Sequence, residues 1–161
     1  MNKYPEHPLV ELSENLMNSK RHIKVGGKFI DFQLIEVKNS PLHLSDLIPQ
    51  SEYTILDLWA PWCGPCIRKS KKLKENYQAL LERNIKVIGV IGGIDQYAKF
   101  EGAKTKYNYP WELYPEVNNE KRIWEKYGVS RGGGGQFLIN KKGEILAIDP
   151  ELAQLFALPE K

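Results

Sequence analysis

Apolar residues run together at two places in this chain and are spaced out almost everywhere else. Tyr53-Thr54-Ile55-Leu56-Asp57-Leu58 and Ile85-Lys86-Val87-Ile88-Gly89-Val90-Ile91-Gly92 are near-continuous apolar runs of strand length, rich in β-branched residues. Such runs belong to strands covered on both faces. Between them, Pro65 to Arg83 places Ile67, Leu73, Tyr77, Leu80 and Leu81 at helical spacing, with Lys69, Lys71, Lys72 and Lys74 around the remainder. That pattern predicts one long amphipathic helix. Strand, helix, strand in this order predicts a right-handed βαβ unit with parallel strands.

The flanks read more weakly. Residues 1–20 are polar except for a stretch from Leu9 to Met17, an amphipathic helix or an ordered arm whose start Pro5 and Pro8 hold extended. Gly26-Gly27-Lys28 is a turn signal, and Phe29 to Val37 reads as a half-buried strand with Phe32, Leu34 and Val37 inward. Leu42, Leu44, Leu47 and Ile48 give a short turn or helical segment. After the second apolar run, residues 94–108 read as a helix anchored by Tyr97 and Phe100, and Tyr109 to Leu113 as a short strand or extended loop. Asn119 to Tyr127 reads as a short helix closed by Gly128. Gln136 to Asn140 and Glu144 to Ile148, joined through Lys141-Lys142-Gly143, form an antiparallel hairpin, and Glu151 to Leu158 a terminal helix.

Composition narrows the class. At 161 residues, 42% hydrophobic and 27% charged, the chain is globular and long enough to bury a core. Its net charge of +3 is too mild to argue for nucleic acid or a membrane surface. No apolar run reaches the ~18 residues needed to span a bilayer. The N-terminus has no secretory leader pattern, so the chain is read either as cytosolic or as a mature segment whose leader is absent.

The chemistry lies where the first apolar run ends. Trp59-Ala60-Pro61-Trp62-Cys63-Gly64-Pro65-Cys66 holds the chain's only two cysteines, at a strand-to-helix junction. Thiols three residues apart at a helix start face one side, and Cys63 lies among unpaired backbone N–H groups at the positive end of the helix. That setting stabilises a thiolate, the nucleophile of disulfide exchange. A purely structural disulfide would close too small a loop to stabilise much. A zinc site needs two more ligands, and His7, His22 and His43 are scattered.

Trp62-Cys63-Gly64-Pro65-Cys66 after a buried strand resembles the thioredoxin superfamily. Asp31-Phe32-Gln33-Leu34, Leu44-Ser45-Asp46-Leu47 and the segment carrying Tyr109-Pro110-Trp111 resemble its TlpA/ResA-like branch, with the resemblance covering residues 26–158. It implies an α/β fold with a mixed central sheet flanked by helices. An N-terminal extension would occupy residues 1–25 and the thioredoxin-like domain residues 26–161, with an insertion between the βαβ unit and the C-terminal hairpin. It also implies a thiol–disulfide oxidoreductase with no organic cofactor, only a redox-active Cys63–Cys66 disulfide. Cys63, expected to be the more exposed, would attack and Cys66 would resolve. Asp57 would match the buried acid that takes and returns the resolving thiol's proton; the alternative turns it to solvent at a strand end. Gly64 permits the tight turn and Pro65 suits the first helical turn. Trp62 would form an apolar collar for the substrate, while Trp59 packs.

The resemblance departs at one place. Family members carry a cis-proline at the position of Gly134, within Arg131-Gly132-Gly133-Gly134-Gly135. Gly133 and Gly134 would then supply the loop that faces the cysteines and pairs with substrate, either weakening affinity or making the same close approach in a trans loop. The expected partners are a disulfide-bearing or reduced client protein and an upstream donor, either a thioredoxin system or a membrane thiol relay; no nucleic acid is expected. The Gly-Pro dipeptide resembles that of reducing members, and relatives of this branch place the protein on the periplasmic side of a cell envelope, with a cytoplasmic location as the alternative. Two rival functions are a metal- or partner-capturing protein with impaired turnover, and a thiol peroxidase. The second expects a Pro-x-x-x-Thr-x-x-Cys setting, which Pro61-Trp62-Cys63 lacks.

Overall fold

The computed structural model describes residues 7–129 and 133–160. The first apolar run becomes β3 (Tyr53–Trp59) and the second β4 (Ile85–Ile94), paired in parallel with Asp57 opposite Gly89. β5 (Glu112–Val117) adds in parallel to β4, while β6 (Gly135–Asn140) and β7 (Ile145–Ile148) add as an antiparallel hairpin on the other side. The sheet order is β5-β4-β3-β6-β7, with β3 in the middle. This is an α/β fold with a mixed sheet.

Side chains alternate across a strand, so a strand covered on both faces is mostly apolar along its whole length, and any polar side chain in it needs a partner. Every residue of β3 is buried. Ile55 and Trp59 join a core shared with Leu73, Phe100 and Leu155 of the helices on one face. Leu56 and Leu58 join Phe32, Leu44, Ile123 and Trp124 on the other. Asp57 belongs to the first of these faces by parity.

The expected long helix is two. α3 (Gly64–Glu75) and α4 (Tyr77–Glu82) meet at Asn76, which has left helical geometry (φ −113°, ψ 9°). Its side-chain Nδ2 donates to the Lys72 carbonyl at 2.9 Å, and its backbone N–H turns to Leu73 instead. Asparagine amides compete for backbone acceptors in this way and interrupt helices. Leu81 consequently faces outward at 37% exposure, against expectation, while Leu80 is fully buried.

Other differences are local. α1 (Pro8–His22) starts on Pro8, whose missing N–H costs nothing in a first turn, so that proline begins the helix instead of holding the chain extended. β1 (Gln33–Val37) pairs with an unexpected β2 (Ser40–His43) through Lys38 and Asn39, both at positive φ, as a two-residue hairpin turn requires. Val37 is therefore exposed at the hairpin tip, whereas Phe32 and Leu34 are buried as expected. α2 (Leu44–Leu47) and a 3-10 turn (Ile48–Gln50) lead into β3. α5 (Tyr97–Tyr107) buries Phe100 but leaves Tyr97 exposed in its first turn. β5 begins later than Tyr109, because Tyr109 and Trp111 stack on each other at 4.8 Å between ring centroids and do not pair with β4. α6 (Ile123–Lys126) is a shorter form of the expected helix and ends at Gly128 with φ 69°. α7 (Leu152–Phe156) closes the chain. No helix among the described residues is long and apolar enough to cross a membrane.

Candidate active site

Cys63 and Cys66 are joined as a disulfide at the junction of β3 and α3. Cys63 is the N-cap of α3, and its sulfur accepts a hydrogen bond from the Cys66 backbone N–H at 3.4 Å. A cap side chain normally offers an oxygen to this orphan N–H; here the sulfur takes its place. Pro65, in the first turn, sacrifices no intrahelical bond. Gly64 is open, its nearest contact for an added Cβ being the Arg68 guanidinium at 3.4 Å.

The two sulfurs differ in a way the sequence did not show. Cys63 is 5% exposed and Cys66 9%, so Cys63 is not the more exposed. The cover comes from the glycine loop: a Cβ on Gly133 would stand 3.0 Å from both Cβ and Sγ of Cys63 and from the Trp62 ring. What distinguishes Cys63 is its place at the helix N-terminus, where partial positive charge favours a thiolate.

Gly134 has φ 150°, and a Cβ there would overlap the Leu58 carbonyl oxygen. No peptide bond among the described residues is cis. The position at which the resemblance expects a cis-proline is thus a trans glycine on β3's backbone, one of the two alternatives the sequence left open. Arg131 and Gly132 lie outside the described residues.

Asp57 is 1% exposed and does not turn to solvent. Parity aims it at α3, where Ser70 Oγ donates to Oδ2 at 2.6 Å, and Gln136, its register partner on β6, donates from Nε2 to Oδ1 at 3.1 Å. Ser70 Oγ also lies 3.1 Å from the Cys66 carbonyl oxygen, which couples the acid to the cysteine's own turn of helix. Burial pushes the Asp57 carboxyl up to about 6, against the two hydrogen bonds and the Lys69 charge, which favour the ionised form. Asp57 and Cys66 line one cavity of about 80 Å³ together with Gly134, Gln136, Lys69 and Asp149. At its edge Lys69 Nζ and an Asp149 carboxylate oxygen pair at 2.6 Å. The site can therefore hold a dithiol or disulfide beside a group that exchanges a proton near neutral pH.

Trp59 is fully buried and Trp62 is 65% exposed, its indole N–H donating to the Gly93 carbonyl at 3.0 Å. The structure brings Cys63, Cys66, Asp57, Trp62, Gly64, Pro65, Gly133 and Gly134 together at one end of β3. Sequence reading missed Ser70 and Gln136. Gln136 carried a signal, as a polar residue opening an otherwise apolar strand that pairs with the strand of Asp57; Ser70 lay hidden among lysines. Among the described residues, no group of three or more His, Cys, Asp or Glu side chains is placed to hold a metal ion.

The sequence model of the AhpC/TSA family matches residues 25–148. The thiol-disulfide oxidoreductase ResA of Geobacillus kaustophilus is 24% identical over 134 residues, covering 83% of this chain and 74% of that protein. The ResA of Oceanobacillus iheyensis is 30% identical over 80 residues, covering 47% of this chain and 41% of its own. In three dimensions, a thiol:disulfide interchange protein from Bacteroides sp. superposes with a TM-score of 0.67 at 19% identity, covering 83% of this chain and 86% of the other. With the fold, the disulfide-capped helix and these matches in agreement, the chain belongs to the AhpC/TSA family, and it is similar to the ResA thiol-disulfide oxidoreductases within the fold it shares with the interchange protein.

Proposed function

We propose that this protein is a thiol–disulfide oxidoreductase that reduces disulfides in protein partners through Cys63, with Cys66 resolving and Asp57 moving the proton. The observation that carries the reading is the Cys63–Cys66 disulfide itself, with one sulfur capping α3 and the other sharing a cavity with a buried carboxyl. In the reduced protein, the Cys63 thiolate attacks one sulfur of the partner's disulfide. A mixed disulfide forms, and the partner's other sulfur leaves as a thiolate. Cys66 then gives its proton towards Asp57 and attacks Cys63 Sγ. The second partner thiolate departs, and the Cys63–Cys66 disulfide remains. Two electrons have passed to the partner, and an upstream dithiol donor, a thioredoxin system or a membrane thiol relay, returns them.

Trp62, Gly64, Pro65, Gly133 and Gly134 form the surface that meets the partner, and residues 26–161 are the unit that carries the reaction, with 1–25 as an extension. The family relationship favours the periplasmic side of a cell envelope, which fractionation of the expressing cells tests against a cytoplasmic location. The metal-capture reading has less support, since among the described residues no group of three or more His, Cys, Asp or Glu side chains is placed to hold an ion.

The deciding experiment is the reduction potential, taken by equilibrating the protein in dithiothreitol or glutathione buffers and following tryptophan fluorescence. A midpoint at or below about −250 mV supports a reductant, as for thioredoxin at about −270 mV. A midpoint between about −180 and −120 mV reverses the direction. Absence of a reversible two-electron transition overturns exchange and favours capture.

A further inference from the structure

The chain's charge is unevenly placed. α3 carries five cations and one carboxylate, Glu75, and α5 carries three and one, Glu101. These two helices therefore hold +6 in a chain whose net charge is +3, and the remaining residues together hold −3. Both helices pack on the sheet face that bears the disulfide.

The charge borders a groove. A cavity of about 450 Å³ between α3 and the end of α5 is lined by Ile67, Tyr107 and Tyr109 and by Lys71, Lys74 and Lys106, with Glu75 its one carboxylate. A second cavity, of about 340 Å³, shares Lys106 and Tyr107 and continues to Pro61 and Trp62, next to the disulfide. Among the described residues Lys71, Lys74 and Lys106 form no ion pair, whereas Lys99, in the second cavity, is paired with Asp95. The lysines are held near their rings: Lys106 Nζ stands 5.2 Å from the centroid of Tyr107, and Lys74 Nζ 5.9 Å from that of Tyr109 while donating to the Tyr107 carbonyl at 2.8 Å. An apolar floor under unpaired cations fits a chain that alternates carboxylates with apolar side chains.

We infer that this groove binds an extended acidic segment of the partner protein and leads its disulfide to Cys63. The inference rests on the exchange reading for the identity of the partner, because the strip opens beside Trp62 and delivers whatever lies in it to the sulfur. A polynucleotide offers the charge but no disulfide to deliver.

The test is a binding measurement that needs no redox chemistry. A fluorescein-labelled, cysteine-free peptide alternating Glu and Leu is titrated with the full-length oxidised protein and followed by anisotropy, beside a Lys/Leu peptide and a Gln/Leu peptide of equal length. The acidic peptide is expected to bind at least ~10-fold more tightly than either control, and to weaken as added salt shortens the Debye length below about 10 Å. The Lys71→Glu, Lys106→Glu double variant is expected to lose ~10-fold or more of that affinity, since each reversal replaces an attraction with a repulsion. Its reduction of 2-hydroxyethyl disulfide, a small neutral substrate, should match the parent's. Equal binding of the acidic and Gln/Leu peptides overturns the inference, as does a double variant that binds the acidic peptide undiminished. Displacement of the peptide by a single-stranded oligonucleotide of equal charge at equal concentration also overturns it, because the groove would then select charge alone. Acidic-peptide binding in a protein that reduces no disulfide would uphold the groove and sink the exchange reading, so the two failures are distinguishable.

Discussion

Replacing Asp57 with asparagine removes a buried charge while keeping the shape and one of the two accepting oxygens, its amide standing as a donor where the neutral acid would stand its O–H, which makes Asp57→Asn a test of the site's electrostatics. Burial raises the carboxyl from 3.8 in the unfolded chain to about 6 in the folded one. The folded state therefore binds this proton more tightly. The stabilisation that results is fully present below pH 3.8 and is lost as pH rises through about 6. Above that window the wild type carries the whole cost of an ionised group with 1% exposure. At about 1.36 kcal/mol for each tenfold of proton affinity, the cost is ~3 kcal/mol. Asparagine does not titrate, so the variant should be more stable than the wild type by ~3 kcal/mol at pH 8, and the difference should shrink towards zero near pH 3.5. The assay is urea unfolding of both oxidised proteins across that range, followed by tryptophan fluorescence; subtracting the two curves cancels every other titrating group. The same variant should lose ~100-fold in disulfide reduction at neutral pH, because nothing then takes the Cys66 proton. A stability difference that is flat with pH, or a variant less stable at pH 8, would refute the reasoning.

Three further outcomes follow from the geometry. Cys66→Ser should accumulate a mixed disulfide with a partner protein through Cys63, visible by mass spectrometry, while Cys63→Ser should not; the reverse pattern would contradict the helix-cap argument for the attacking sulfur. Gly134→Ala should lower the unfolding free energy by ~3 kcal/mol or more, read from the denaturant midpoint, since its Cβ meets the Leu58 carbonyl in a rigid strand and φ 150° suits only glycine. Trp62→Ala should cost no more than ~1 kcal/mol of stability, the worth of one exposed hydrogen bond to Gly93, yet reduce kcat/KM for a protein disulfide ~10-fold and for 2-hydroxyethyl disulfide much less.

Local pattern was enough for much of this molecule. The two apolar runs have the length and β-branched content of strands covered on both faces, and the cysteine pair stands between the first of them and a helical pattern. From those two constraints the sheet's centre, the βαβ unit and the place of the dithiol all followed, and Trp59 and Trp62 fell inside and outside as expected. Short polar segments were less legible. The β1–β2 hairpin turns on Lys38 and Asn39 at positive φ, a conformation that asparagine favours but that lysine does not announce, with no glycine beside them to mark the turn. Asn76 broke a helix whose apolar spacing ran straight through it, because a side-chain amide's choice of acceptor has no periodicity.

By itself, the sequence determined where the two thiols proposed for the chemistry lie, held three residues apart by a turn that their own neighbours specify. Tertiary structure decided how those atoms are tuned. The exposure of Cys63 depends on Gly133, seventy residues away in the chain. The environment of Asp57 depends on Ser70 and Gln136, brought to it by a helix crossing and a strand register. The cationic groove exists only because α3 and the end of α5 lie side by side. Helix and strand formation are read over neighbouring residues, whereas desolvation and electrostatic fields sum over whatever is near in space, and that sum is written only when the chain has folded.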